Sequence, residues 1–324
     1  RRGVGVACFS YGSNTYPVGV EIAGARMLLN QDGTVNLQIG ATEIGQGSDT
    51  VFAQMAAETL GIPFGHIRVI STQDTDITAY DPGAFASRQS YVAAPAVMQA
   101  ASELRSKILA HAELISHQPQ WGLTLLNGNV VMAAQPEMVL MSVAEVSMHA
   151  YYHQEIGAQL LAEISHKTTT NPPAFGCTFV DLSVDIPLCK VTINKIINLH
   201  DSGRILNPQL AEGQVHGGMG MGIGWALFEE MIIDEKTGVV RNPNLLDYKF
   251  PTIMDLPDLE CAFVETYEPQ SAYGHKALGE PPIISPAPAI RNAIRMATGI
   301  PINTLPITPK TLFAEFVQAG LIRE

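Results

Sequence analysis

Charge is scarce in this chain. Of its 324 residues 15% are charged and 46% hydrophobic, and the charge present sums to −12. An acidic surface repels phosphate backbones and anionic headgroups, so neither nucleic acid nor a membrane is an expected partner. So little charge for so much chain predicts a surface partly covered by another domain or subunit. Cysteine is scarcer: Cys8, Cys177, Cys189 and Cys261 lie far apart, with no C-x-x-C pair. That excludes zinc or iron–sulfur sites of the usual spacing and suits a reducing, cytoplasmic setting. Long apolar runs are missing too. Gly213 to Phe228 carries no charge, but His216 interrupts it and its length and glycines do not suit a bilayer span. There is no initiator Met and no visible signal peptide, and Arg1-Arg2-Gly3-Val4-Gly5 already reads as a strand, so a piece of a longer protein is expected.

The length suffices for one large domain or two smaller ones. Residues 3–11, 22–30 and 34–40 read as strands, the first two expected to pair and the last two joined by a hairpin turn at Asp32-Gly33. Ser48 is the expected N-cap of a helix carrying Val51, Phe52, Met55, Ala56 and Thr59, closed by Gly61 and Pro63. A longer helix over 91–116 puts Val97, Ala101, Leu104, Ile108 and Ile115 on one face. His149 and His153 are four apart, but no third ligand follows at motif spacing, and they read as surface histidines. Lys167 to Pro173, polar and β-branched before two prolines, separates subdomains 1–166 and 167–324. Strands over 175–186 and 189–200, a glycine-rich helix after Asn207-Pro208, and strands at 228–233 and 259–265 complete the second half. The expected fold is α+β, two subdomains with mixed or antiparallel sheets and packed helices.

Polar residues stand out against this apolar background. In Lys276-Ala277-Leu278-Gly279-Glu280-Pro281-Pro282, one carboxylate sits between a flexible glycine and two helix-opening prolines. Proline pushes the residue before it toward extended backbone, so Glu280 reads either as a rigidly held general base or as an ordinary acidic helix cap. Gln46 lies between Gly45 and Gly47 at a strand-to-helix turn, where N–H groups and a helix dipole meet. Pro82 to Ser90 is a run of small residues with Arg88 beside it, an anion cradle or a plain turn. In the glycine-rich helix, Gly213, Gly217, Gly220 and Gly224 share a face that a backbone or ligand could approach, with Gln214 near its start. The run has no G-x-G-x-x-G register, which argues against a dinucleotide-binding protein.

Five stretches in this order resemble the molybdenum hydroxylase family: Gly40 to Gly47; Gly83 to Arg88; Leu206-Asn207-Pro208 through Gln214-Val215; Tyr248-Lys249-Phe250-Pro251; and Lys276 through Pro282. The whole chain is similar to the C-terminal half of a molybdenum-binding subunit of the xanthine dehydrogenase type. The resemblance implies a molybdenum cofactor, as molybdopterin or its cytosine dinucleotide, bound with the help of a missing N-terminal half. It implies that Glu280 is the general base, and that Gly45, Gln46, Gly47, Gln214, Lys276 and Gly279 bind the cofactor. Backbone N–H groups from Ala84, Phe85, Ala86 and Ser87 would lie under it. Ala84 and Phe85 would be nearest the metal, with no side-chain ligand, and Arg88 would help hold its phosphate end. Iron–sulfur (2Fe–2S) and FAD centres would sit on other subunits, in a homo-oligomeric assembly. Where animal members place an aromatic over the purine, this chain has Thr15.

The expected activity is hydroxylation of a purine C–H, in hypoxanthine or xanthine, with oxygen from water. Within the family, aldehyde, nicotinate or carbon monoxide oxidation stays open. A different reading is a folded but inert assembly module that forms cofactor walls and subunit contacts.

Overall fold

The computed structural model describes residues 1–72 and 74–323. In chain order the strands and helices are β1 (Arg2–Gly12), β2 (Glu21–Leu29), β3 (Val35–Ile39), α1 (Ser48–Leu60), β4 (Ile67–Ile70) and α2 (Gln89–Ser116). Next come β5 (Leu123–Leu126), β6 (Asn129–Met132), β7 (Gln135–Ser142), α3 (Val143–Tyr152), β8 (Leu161–Thr168), β9 (Pro173–Asp185) and β10 (Lys190–Asp201). α4 (Pro208–Leu227), β11 (Leu259–Phe263), α5 (Pro281–Ile284), α6 (Pro286–Thr298) and α7 (Pro309–Gln318) follow. The result is the mixed α+β architecture expected. Among the described residues no helix is long and apolar enough to cross a membrane.

Contacts divide the chain into two units: a middle unit of 13–172 with 268–275, and a terminal unit of 1–12, 173–267 and 276–324. The first strand therefore belongs with the second half of the chain.

In the middle unit a sheet runs β4-β3-β2-β8, and a smaller one runs β5-β6-β7. The Asp32-Gly33 hairpin forms as expected. Asp32 accepts the N–H and hydroxyl of Thr34 at 3.0 and 2.6 Å, and Gly33 takes the left-handed backbone such a turn needs. Ala25, Met27, Leu29, Val35, Leu37 and Ile39 bury one sheet face, and Val97, Ala101, Leu104 and Ile108 of α2 are fully buried. Gly24 and Gly40 admit the loop before Pro82 at close range. A Cβ on Gly24 would lie 2.8 Å from Ala79 Cβ, and one on Gly40 2.1 Å from the Ala79 carbonyl.

In the terminal unit the sheet order is β1-β9-β10-β11, with β11 parallel to β10 and the other pairs antiparallel. β1 thus pairs with β9, from Arg2↔Ser183 to Gly12↔Pro173, and not with 22–30. Glycines explain the choice. A Cβ on Gly3 or Gly5 would sit 2.2 or 2.1 Å from carbonyls of Ala293 or Ala289, so this strand is shaped for α6. Val180, Leu182 and Ile196 of the sheet, Val215, Met219 and Ile223 of α4, and Ile290 and Ile294 of α6 form its core. The strand expected at 228–233 is absent: only an isolated bridge, Ile233↔Val240, forms there. That stretch finds no neighbouring strand, and Leu245, Leu246, Ile253 and Met254 after it are 77–88% exposed.

Candidate functional site

Around Glu280, the chain from Lys276 to Ser285 is fastened to four elements of the terminal unit, β1, β9, β10 and α4. From the sheet, the Ser202 carbonyl accepts the Lys276 N–H at 2.7 Å, and Asp201 accepts the Lys276 ammonium at 2.8 Å. Burial pushes the Asp201 carboxyl up, but its bonds from Lys276, Thr266 and the Gly203 N–H outweigh this and hold it below the usual carboxylate range. Buried Asn198 donates to the Pro282 carbonyl at 3.1 Å, and the Thr178 and Ser285 hydroxyls meet at 2.7 Å. From α4, the Gln214 amide donates to the Gly279 carbonyl at 3.1 Å. From β1, the Tyr11 hydroxyl donates to Glu280 Oε2 at 2.5 Å. The Glu280 residue itself is exposed.

The helix itself makes room for this segment. A Cβ on Gly218 would lie 2.4 Å from Pro282 Cβ, and one on Gly222 2.7 Å from Pro286 Cβ. The glycines that admit the Glu280 segment are therefore Gly218 and Gly222, one turn apart, and neither is among the four that share the predicted face. Around Gly213 and Gly217 a Cβ would meet nothing within 4 Å among the described residues, and Gly224 instead receives Glu229 and Pro251. The backbone at Glu280 also differs from expectation. It is right-handed helical at φ −90°, ψ −27°, because the Glu280 carbonyl accepts the Ile283 N–H at 3.1 Å and closes the first turn.

Gln46 and the small-residue loop lie in the middle unit. α1 begins at Ser48 with Gly47 as its cap, so Ser48 is not the N-cap predicted. Glu43 does the capping: its carboxylate accepts N–H groups of Gly45, Gly47 and Asp49 at 2.7, 3.0 and 3.1 Å. Burial pushes the Glu43 carboxyl up, but those bonds outweigh it and the pKa falls. The Gln46 amide is occupied as well. It accepts from the Ile44 N–H at 2.7 Å and donates to the Thr42 carbonyl at 2.9 Å and to Gln89 at 2.5 Å.

Arg88 is fully buried, and its guanidinium is already satisfied by the protein. It pairs with Glu21 at 2.5 Å and Asp81 at 2.6 Å, and donates to the Gly83 and Ile22 carbonyls at 3.1 and 2.9 Å. It therefore ties down the loop rather than facing an open phosphate pocket. Thr15 joins the same cluster, giving its N–H and hydroxyl to Glu21 at 2.7 and 2.5 Å. Above it, Ala86 and Ser87 adopt left-handed backbone at φ 47° and 54°. Such angles cost non-glycine residues of order 1–3 kcal/mol each and persist only where the surroundings impose them. The N–H groups of Ala84, Phe85 and Ala86 donate to no acceptor among the described residues.

Sequence reasoning missed Tyr11, Asn198, Thr178 and Asp201, none of which belongs to a motif. It also missed His111 on α2, whose Nε2 meets His149 Nδ1 at 2.8 Å, with His153 stacked beyond at 4.9 Å between ring centroids. Burial first, then these two neighbours, lowers the His111 pKa. A ring nitrogen engaged with another ring suits a hydrogen-bonded stack.

A protein-family model described as a molybdopterin cofactor-binding domain matches residues 1–257. The chain is 73% identical over 322 residues to a xanthine dehydrogenase molybdenum-binding subunit of Escherichia coli O157:H7, covering 99% of this chain and 43% of that protein. It is 32% identical over 296 residues to the nicotine 6-hydroxylase large subunit of Paenarthrobacter nicotinovorans, covering 88% of this chain and 36% of that protein. The crystal structure of quinoline 2-oxidoreductase from Pseudomonas putida 86 superposes with a TM-score of 0.86 at 28% identity, over 97% of this chain and 42% of that one. The chain thus spans less than half the length of the relatives it matches.

Proposed function

The chain belongs to the molybdopterin cofactor-binding domain family, and we propose that it is the part of a purine-oxidising molybdenum hydroxylase that supplies the general base and part of the cofactor's binding residues. Each unit is a cofactor-binding subdomain in this reading. The observation that carries it is Glu280: an exposed carboxylate, hydrogen-bonded by Tyr11, on a segment fastened to β1, α4 and the sheet. A general base needs fixed geometry before anything else.

The residues present fit the cofactor. An anionic, oxygen-rich group suits the unaccepted N–H groups of Ala84, Phe85 and Ala86. Gln214 keeps its amide oxygen available to a donor, since only its nitrogen is bonded among the described residues. Gln46, Gly45 and Gly47 shape the turn beside Gln89, and Arg88 and Lys276 act as positioning residues through the loop and the Glu280 segment. When bound, the cofactor supplies the redox centre that accepts two electrons as the substrate carbon is hydroxylated. Glu280 takes up the proton released, with the Tyr11 hydroxyl holding Oε2 in place.

Identity of 73% to a xanthine dehydrogenase subunit supports a purine substrate over an aldehyde, nicotinate or carbon monoxide. The chain spans 43% of that subunit, and in this reading it is active only within the longer subunit, partnered by iron–sulfur and FAD subunits in a cytoplasmic homo-oligomer. The exposed apolar residues from Leu245 to Met254 are then covered by the remainder of the same subunit. The test is turnover of xanthine by the assembled enzyme in ¹⁸O-labelled water. One labelled oxygen per product supports the reading; molybdenum-loaded enzyme that oxidises aldehyde or nicotinate but no purine overturns the substrate, and unlabelled product overturns the reaction class.

A further inference from the structure

Away from Glu280, α4 and β11 bring together three different kinds of metal ligand. Glu212 and His216 stand one turn apart on the helix, and Cys261 is the middle residue of the strand beside it. One donor atom from each, a carboxylate oxygen, an imidazole nitrogen and a thiol sulfur, lies within 4.8 Å of the other two. His216 Nε2 is shielded from solvent and has no hydrogen-bond partner among the described residues. The nearest Glu212 oxygen is 3.8 Å away, too far for a hydrogen bond. A buried ring nitrogen left without a partner is costly and calls for an explanation.

We propose that Glu212, His216 and Cys261 bind a divalent cation of the zinc class, which clips the edge strand β11 to α4. The mixed oxygen, nitrogen and sulfur set suits Zn²⁺, with water as the fourth ligand of a tetrahedron. Ligand bonds of roughly 2.0–2.3 Å put tetrahedral donors about 3.5 Å apart. The three groups therefore need only a modest closure, which the half-exposed Glu212 side chain can make by changing rotamer. The thiolate is the ligand form of cysteine, so binding of the cation releases the Cys261 proton. The gain is structural. β11 is short and pairs on one side only, with β10.

The full-length subunit, purified without a histidine tag, is equilibrated with Zn²⁺, freed of loose metal and assayed for zinc per chain and for its zinc K-edge absorption. The expected result is about one zinc per chain, with a single sulfur neighbour near 2.3 Å among lighter atoms. Cys261→Ser removes the sulfur signal. Both Cys261→Ser and His216→Gln lower retained zinc by at least about tenfold, a loss that even outer-shell partners can cause, and abolish the zinc-dependent rise in melting temperature. The double variant Cys8→Ser, Cys177→Ser leaves all three readouts unchanged. No retained zinc in folded wild-type protein, or a sulfur signal that survives Cys261→Ser, overturns the proposal. Circular dichroism without metal checks that each variant is folded, so that lost binding reports lost ligands.

Discussion

Replacing Arg88 with methionine tests how the loop under the proposed cofactor is held. Arg88→Met keeps the length and buried volume but strands Glu21 and Asp81, both with fully buried side chains. Breaking a buried ion pair from one side costs about 3–5 kcal/mol, because the surviving charges are left in a poor solvent. For a unit of this size that lowers the melting midpoint by roughly 10 °C. The pH dependence gives a sharper check. In the wild type, burial raises Glu21, but the bonds from Thr15 and Arg88 outweigh it and hold its pKa down. Its contribution is therefore present above the unfolded carboxylate pKa and lost as pH falls through the folded one. Burial already holds the Asp81 carboxyl above its ordinary value in the wild type, against the pull of Arg88. In Arg88→Met burial lifts Glu21 above its unfolded value and Asp81 further still, so acidification favours the folded variant more than the folded wild type. Both trends narrow the gap between wild type and variant as pH falls. Urea unfolding followed by circular dichroism at pH 7 and pH 5 measures it. A loss under about 1 kcal/mol at pH 7, the worth of an exposed pair, or a gap that widens on acidification, would refute the reasoning. Molybdenum content should fall too, since the Gly83 carbonyl loses its donor.

Other outcomes follow from the same contacts. Tyr11→Phe deletes the hydroxyl that donates to Glu280 Oε2 and should slow turnover by about 1.5–3 kcal/mol of barrier at unchanged molybdenum content; a drop in content instead would make Tyr11 a cofactor-binding residue. Gly218→Ala, aimed at Pro282, should destabilise by about 1–3 kcal/mol. Gly217→Ala, facing open space, should stabilise the isolated chain by up to about 1 kcal/mol, and equal effects in the two would contradict the packing described. Burial lowers the His200 pKa to about 4, below its unfolded value. Stability from this group is therefore present above pH 6.5 and lost as pH falls toward 4; His200→Phe should flatten that part of the acid-unfolding profile, and an unchanged slope would exclude His200 as its source.

Local signals in the sequence proved dependable where one residue type decides the structure. Asp32-Gly33 made its hairpin, Asn207-Pro208 opened α4, and Gly299 closed the helix that buries Ile290 and Ile294. Pairing was less legible. β1 looks like a neighbour of the next strand, and only the collision of its glycines with α6 shows why it joins β9, more than 160 residues away. At the site, Glu280 could be read because proline and glycine frame it. Tyr11, Asn198 and Asp201 could not, since hydrogen bonds between distant elements leave no local pattern. Charge signs were legible but their partners were not: Arg88 read as a cradle cation because nothing in its loop reveals Glu21, and Ser48 read as a cap because Glu43 was not seen reaching across the turn.

The central claim is that Glu280 is the base, and Glu280→Gln tests it most directly. The amide keeps the shape and can still engage the Tyr11 hydroxyl, but it cannot take up the proton. In the assembled full-length enzyme, xanthine turnover per molybdenum should fall by several kcal/mol of barrier, that is by about a thousandfold or more, with molybdenum content near wild type. Retention of more than about a tenth of wild-type turnover at matched molybdenum content, a barrier change under roughly 1.4 kcal/mol, would contradict it.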